Sequence, residues 1–467
     1  MGAPSQATDD DAQVLHVLNR LTYGARPDDV AAVRAQGLRA FVERQLHPER
    51  IPDFKAEEML KTVKTHGLST AQLLLGYEVP REAKKEAQKV RAQMADAPGA
   101  DEGKARREWV RKYAPRMEGS PRQVVAELGE TKILRAVYGE RQLDEVLVDF
   151  WLNHFNVYAQ KGQVKFLVAE YEREVLRKHA WGRFEDLLLA TAESPAMLFY
   201  LDNWLSADAA APRRGPGASA RKRGLNENYA REIMELHTLG VDGGYSQKDV
   251  TEVARCFTGW TIRGLRQDHP EFAFDPRVHD RGDKVVLGAA IRSAGQDEGR
   301  KVIHLLAIHP ATARFVATKL VRRLVADEPP AALVDLAAEA FRRTDGDIRA
   351  VVSVIVTSPE FLGPDYRAVK VKTPLEFVLS AVRASGARVV DAGGLAQRLG
   401  EMGMPLYQQQ APTGYKDTAD AWRSTGGRLA RLNFAADLAA GRVSGVIQGP
   451  PRDNLALLLG SPEFQLR

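Results

Sequence analysis

TKILRAVYGERQLDEVLVDFWLNHFNVY, residues 131–158, decides what kind of fold this chain has. Ile133, Leu134, Val137 and Tyr138, then Leu143, Val146, Leu147, Phe150 and Trp151, recur at three- and four-residue steps, the spacing that lines one face of an α-helix. The same period continues through Phe166, Leu167, Tyr171, Val175 and Leu176, and again through Phe184, Leu187, Leu188 and Leu189. Toward the start, Val14, Leu15, Val17, Leu18 and Leu21 form one stripe and Val30, Val33, Leu38, Phe41, Val42 and Leu46 a second. Arg26-Pro27-Asp28-Asp29 lies between them as stop and cap, so two helices are expected over residues 11–46. Helix resumes at Asn226, and helical stripes return from Gly299 nearly to the end. Only after Trp260 does the period change. Thr261-Ile262-Arg263, Glu271-Phe272-Ala273-Phe274 and Lys284-Val285-Val286-Leu287 are short alternating or apolar runs parted by Gly, Pro and Asp, as in strands. The expected fold class is mainly α, a large helical domain over 11–467 with a small β-ribbon inserted at about 260–290.

Two segments depart from this pattern. Residues 80–116 are rich in Lys, Arg, Glu, Ala and Gln, with Trp109, Val110 and Tyr113 as the large apolar exceptions. They read as a charged helical hairpin inserted into the body and turning near Ala97-Pro98-Gly99. Residues 206–224 are Ala, Gly, Pro, Ser and basic side chains, and read as a flexible basic loop. The chain of 467 residues has 66 Lys and Arg against 61 Asp and Glu, a formal charge of +5. Arg213, Arg214, Arg221, Lys222 and Arg223 alone equal that excess, so the remainder is balanced. With no recognisable binding motif besides, nucleic acid is the least expected partner. Cys256 is the single cysteine, which rules out an intramolecular disulfide and any C-x-x-C site. No run approaches 18 apolar residues, so no membrane-spanning helix is expected. The first residues, MGAPSQATDDDAQ, have neither a basic start nor an apolar signal core, which taken literally points to the cytoplasm; Met-Gly ahead of a polar lead-in also suits a trimmed mature chain.

No P-loop, strand-linked G-x-G-x-x-G, G-x-S-x-G or H-E-x-x-H is present. Candidate chemistry is concentrated in three blocks. In the first, residues 149–158, a helix sets His154 beside Phe150 and Trp151, where desolvation keeps an imidazole neutral as a base or metal ligand requires. The alternative is a core histidine hydrogen-bonded to backbone. In the second, residues 226–240, Asn226 suits a helix N-cap, and Glu227, Arg231 and Glu235 at four-residue steps line one face. Buried, that ladder holds two ionised acids ready for a metal or an amine; exposed, it is an ordinary salt-bridge ladder. His237 lies about 200° round the helix from Glu235, so the two cannot both be ligands from one regular helix. In the third, residues 278–284, His279, Asp280 and Lys284 sit on a loop that is either a binding site or a plain turn. Further on, His309 before Pro310 reads as a helix cap, and residues 412–417 as a turn that covers either a site or the core.

The stretches HVLNRLTYGARPDDV, FWLNHFNV, NENYAREIMELHTLGVDGGYSQKDVTEVARCFTGW, HDRGDKVVLG, HPATARFVATKLVRRLVADEPP, KVKTPLEFV and PTGYKDTADAW together resemble the bacterial family known as domain of unknown function 1800. The resemblance covers most of the chain and implies a mostly helical protein, often exported to the periplasm or beyond, and often encoded beside a sulfatase-like protein. It supplies no activity and no catalytic residue. The leading expectation is therefore an exported enzyme, a hydrolase or an oxidoreductase, whose centre either holds a divalent metal on histidine and carboxylate ligands or uses a histidine base with Glu and Asp partners. Its centre is expected to comprise His154, Glu227, Arg231, Glu235, His237, His279 and Asp280. A divalent metal would be held by His154, Glu235 and His279, with Lys284, Trp151 and Asn153 touching substrate. The other expectation is a non-catalytic helical scaffold that partners the sulfatase-like protein, with the same residues forming buried networks.

Overall fold

The computed structural model describes residues 11–96, 102–210, 224–265, 269–450 and 452–467. Among them the chain forms 23 α-helices and three two-stranded antiparallel sheets, the mainly helical architecture its periodicity predicts. One contiguous apolar cluster runs from Val14 to Leu459. It includes the Gln142–His154 helix, of which Asp144 and Glu145 are buried along with Leu143 and Val146. A one-sided stripe does not predict buried acids. They are tolerated because Arg177 reaches Asp144 at 3.0 Å and Glu145 at 2.8 Å, and a buried carboxylate is stable only when paired. Arg177 closes a π-helical segment, Tyr171–Arg177, which the apolar period cannot distinguish from α-helix.

At the start of the chain there are three helices, Asp11–Leu21, Asp29–Gln36 and Leu38–Gln45, rather than two. Gly37, at φ +86°, breaks the second stripe without changing its face. The inserted ribbon is two hairpins. In the first, β1 (Trp260–Arg263) pairs with β2 (Glu271–Phe274); in the second, β3 (Lys284–Val286) pairs with β4 (Ala289–Ile291). Leu287 and Gly288, both at positive φ, close the second in the turn that matches strand twist. A third pair, β5 (Arg388–Val389) with β6 (Val446–Ile447), is too short to leave a periodic signal.

Residues 81–96 and 102–113 are helices, pinned by the few aromatic exceptions in their composition. Trp109 donates to the Ala83 carbonyl at 2.9 Å and Tyr113 to Glu86 at 2.6 Å. The expected turn at 97–99 and most of the basic loop, 211–223, lie outside the described residues. Among those described, no helix is long and apolar enough to cross a membrane.

Three features position the site. The Pro310–Leu324 helix begins at His309, whose Nδ1 accepts the Ala311 N–H at 3.1 Å, the capping role its place before proline predicts. That helix lies beside Gln142–His154. The loop of residues 404–418 then folds across both.

Candidate functional site

Between these elements is a cavity of about 260 Å³. His154 and Asn153 contribute from the first block, Lys319, Arg322 and Arg323 from Pro310–Leu324, Lys132 from Pro121–Tyr138, and Tyr407, Lys416 and Asp417 from the covering loop. Five cations and two carboxylates, Asp149 and Asp417, line it.

Its most unusual contact joins Lys319 to His154. His154 is 2% exposed, and its Nε2 faces the His237 carbonyl at 3.0 Å. That carbonyl can only accept, so Nε2 carries the proton and Nδ1 presents a lone pair. Lys319 Nζ donates to Nδ1 at 2.7 Å and rests over the Phe315 ring at 5.4 Å. Burial, then the positive charge of Lys319, holds His154 well below the ordinary histidine range, so the imidazole is neutral. Burial and the nearby Arg322 charge pull the Lys319 amine down to about 8. Among the described residues no carboxylate lies within ion-pair distance of Lys319, whereas buried Lys132, Lys284 and Lys370 end on Asp149, Glu298 and Asp327 at 2.8, 2.5 and 2.5 Å. Arg322 donates to the Asp327 carbonyl at 3.0 Å. Lys132 and Arg323 are neutralised in an ion network under the cavity, where Arg323 meets Asp149 at 3.4 Å and Glu376 at 2.8 Å. Among the described residues Lys319 and Arg322 have no carboxylate within ion-pair distance, while Lys416, largely exposed at the rim, meets Asp420 at 3.5 Å.

The covering loop is held by side chains that imitate backbone. Asn153 donates to the Tyr415 carbonyl at 2.7 Å and accepts its N–H at 2.6 Å, and Asn156 donates to the carbonyls of Gln409 and Ala411. Gly414 is required there: at φ +71°, an added Cβ would lie 2.2 Å from the Asn153 carbonyl oxygen. Tyr407 also has a left-handed backbone, φ +60°, and its hydroxyl donates to Glu172 of the π-helical segment at 2.5 Å. A bulky residue holds such a conformation only where its surroundings over-determine it, which occurs most often around functional sites.

The family match reported as "Protein of unknown function (DUF1800)" spans residues 16–463, nearly the whole chain. The chain belongs to the DUF1800 family. No curated protein and no solved structure matches it.

Of the candidates read from sequence, this DUF1800 chain brings together His154, His237 and Asn153. His237 is 2% exposed, burial and the Lys319 charge push its imidazole down to about 3, and its Nε2 finds no hydrogen-bond partner among the described residues. The others lie elsewhere. Glu227 and Arg231 form a partly exposed surface network through Gln247, and Glu235 accepts from the Tyr245 hydroxyl at 3.1 Å. His279 spends both nitrogens, Nδ1 on Thr258 and Nε2 on Glu298 at 3.1 Å. Asp280 receives Arg255 at 2.8 Å and is held down at about 2 by it. Lys284, expected to meet substrate, is 1% exposed and bound to Glu298. Trp151, likewise expected to touch substrate, is fully buried, packs on His154 and donates to the Ala180 carbonyl at 3.2 Å. The ligand set His154, Glu235 and His279 is not assembled: among the described residues no three His, Cys, Asp or Glu are placed to hold a metal ion. Both His154 nitrogens already have partners.

Sequence reasoning missed Lys319, Arg322 and Tyr407. Lys319 had a signal: it stands on the apolar stripe of Phe315, Val316, Leu320 and Leu324, where a lysine has no reason to be unless it is paired or used.

Proposed function

We propose that this protein is an enzyme whose substrate is a small organic anion bound in the cavity, with Lys319 and His154 as the reacting pair. The observation that carries the reading is a lysine amine held on a neutral histidine nitrogen, with no carboxylate partner, in the wall of a cavity with surplus positive charge. Three other buried lysines end on an acid, and a fourth, Lys372, rests over the Phe464 ring outside the cavity lining; among the described residues Lys319 differs from all four in resting on an imidazole at the cavity wall. The volume, below the roughly 300–1,000 Å³ of drug-sized sites, suits a molecule of few carbons. Arg322 and Lys416 would take its charge, and His154 would pass protons to and from the Lys319 amine.

Thermal unfolding with added inorganic phosphate or lactate tests the binding part. At a hundred times the dissociation constant, an anion bound only by the folded state adds about 2.7 kcal/mol of stability. We expect the melting temperature to rise for wild type and not for Arg322→Gln. If no small anion shifts wild type, the reading fails. Work outside the cytoplasm beside a sulfatase-like companion belongs to the same proposal on the family resemblance alone; cell fractionation and co-purification check it.

A further inference from the structure

We infer that Lys319 is an amine nucleophile that forms an imine with the carbonyl carbon of a small α-oxo acid, whose carboxylate is received by Arg322 and Lys416. This rests on the anion-binding reading above and names its substrate class.

A site built only to hold an anion would be served by arginine, which stays charged and binds carboxylate through two parallel N–H bonds. This cavity has that group in Arg322, one helical turn beyond Lys319, and has a lysine besides. Lys319 is where a nucleophile would be placed: its Nζ is fixed by a single directed contact to His154 Nδ1 and lies over an aromatic face. Among the described residues no acid lies within ion-pair distance to hold its proton, and burial beside Arg322 lowers its affinity for that proton by more than the charge of Asp417 across the cavity raises it. With the amine neutral, one N–H still donates to Nδ1 and the lone pair is available to the cavity.

The chemistry balances within the site. The nitrogen lone pair attacks the carbonyl carbon, a C–N bond forms, and the C=O π pair moves to oxygen. His154 Nδ1 takes a proton from the now positively charged nitrogen and hands it to that oxygen. The carbinolamine oxygen, protonated once more from a water molecule, leaves as water while the nitrogen lone pair closes the C=N bond, and the iminium N–H proton then neutralises the hydroxide left behind. One oxo acid and one amine give one imine and one water, with no change of oxidation state. His237 takes part only through its carbonyl, which fixes which nitrogen of His154 is the acceptor.

The test is reductive trapping. The full chain is incubated with pyruvate and sodium cyanoborohydride at mildly alkaline pH, then digested and mapped by mass spectrometry. The expected result is a carboxyethyl group on Lys319 ahead of any exposed lysine, blocked by excess lactate, which has the carboxylate but no carbonyl. His154→Gln, which keeps the Lys319 amine, is expected to slow labelling about a hundredfold. Lys319→Arg is the folding control, retaining charge and thermal stability while losing the label. Labelling of Lys319 no faster than that of exposed lysines overturns the proposal. A thermal shift with lactate but no label at Lys319 discards the imine and keeps the anion site; absence of both discards the two together.

Discussion

Lys284 shows how far a residue's type can mislead about its role. In sequence it stands on a polar loop with His279 and Asp280, a natural place for a substrate cation. In the fold it is sealed at 1% exposure, gives its ammonium to Glu298 at 2.5 Å and to the Asp280 carbonyl, and Glu298 in turn meets His279. Glu298 is itself fully buried, so removing its cation leaves a charge that water cannot reach. We expect Lys284→Met to cost about 3–5 kcal/mol in urea unfolding and Lys284→Met with Glu298→Gln to cost clearly less, because the second change removes the stranded charge. Equal losses in the two variants would show that packing, and not charge, is what Lys284 supplies. Lys319 is the converse case: it stands on the helix stripe of Phe315, Val316, Leu320 and Leu324 and faces the cavity. A single sequence reports which residues are polar but not which polar residues find each other. His154 and His237 are 83 positions apart, and His154 and Lys319 are 165 apart.

At the level of elements, the helices were legible because apolar spacing is local, and so were the strands after Trp260. What was not legible was whatever depends on a partner: the π-helical turn that brings Arg177 to Asp144 and Glu145, and the loop of residues 404–418 that covers the cavity. That loop contains almost no regular structure and is fastened mainly by Asn153, Asn156 and Tyr200, the last donating to the Gln410 carbonyl at 2.7 Å. Its stability is therefore separable from that of the helices beneath it. We expect Asn156→Ala to accelerate amide hydrogen exchange across residues 404–418 while exchange in the Gln142–His154 helix stays within about twofold of wild type. If the two regions loosened together, the loop would be part of the core's cooperative unit.

For the molecule as a whole, buried bases set the response to pH. Burial holds His16 down at about 4, His237 at about 3 and His154 well below the ordinary histidine range, so below pH 6.5 the unfolded chain binds protons that the folded protein refuses. Stability accordingly falls as pH drops from 6.5 toward 4, by up to about 1.4 kcal/mol per pH unit for each histidine. Asp53, Glu130 and Glu232, raised by burial, act in the opposite sense just above the ordinary carboxylate range. Toward alkali, Lys372 at about 7 and Lys319 at about 8 release protons that the unfolded chain keeps until about 10.5, so stability goes on rising through pH 8 and 9. We expect urea midpoints to increase from pH 5 to 7 and again from 7 to 9. A maximum at pH 6 would mean that these bases are hydrated in the folded protein.

The cavity draws its walls from Lys132, His154, Lys319 and Asp417, positions spread over more than half of the chain. Contacts of such sequence separation form late, after the loops between them have been closed at an entropic cost. During refolding, helicity and burial of the tryptophans should therefore recover before the protein can hold an anion. The site itself is a reporter of the last step of folding, and a chain that lacks the covering loop would resemble the native protein by every helical measure while having no place for a substrate.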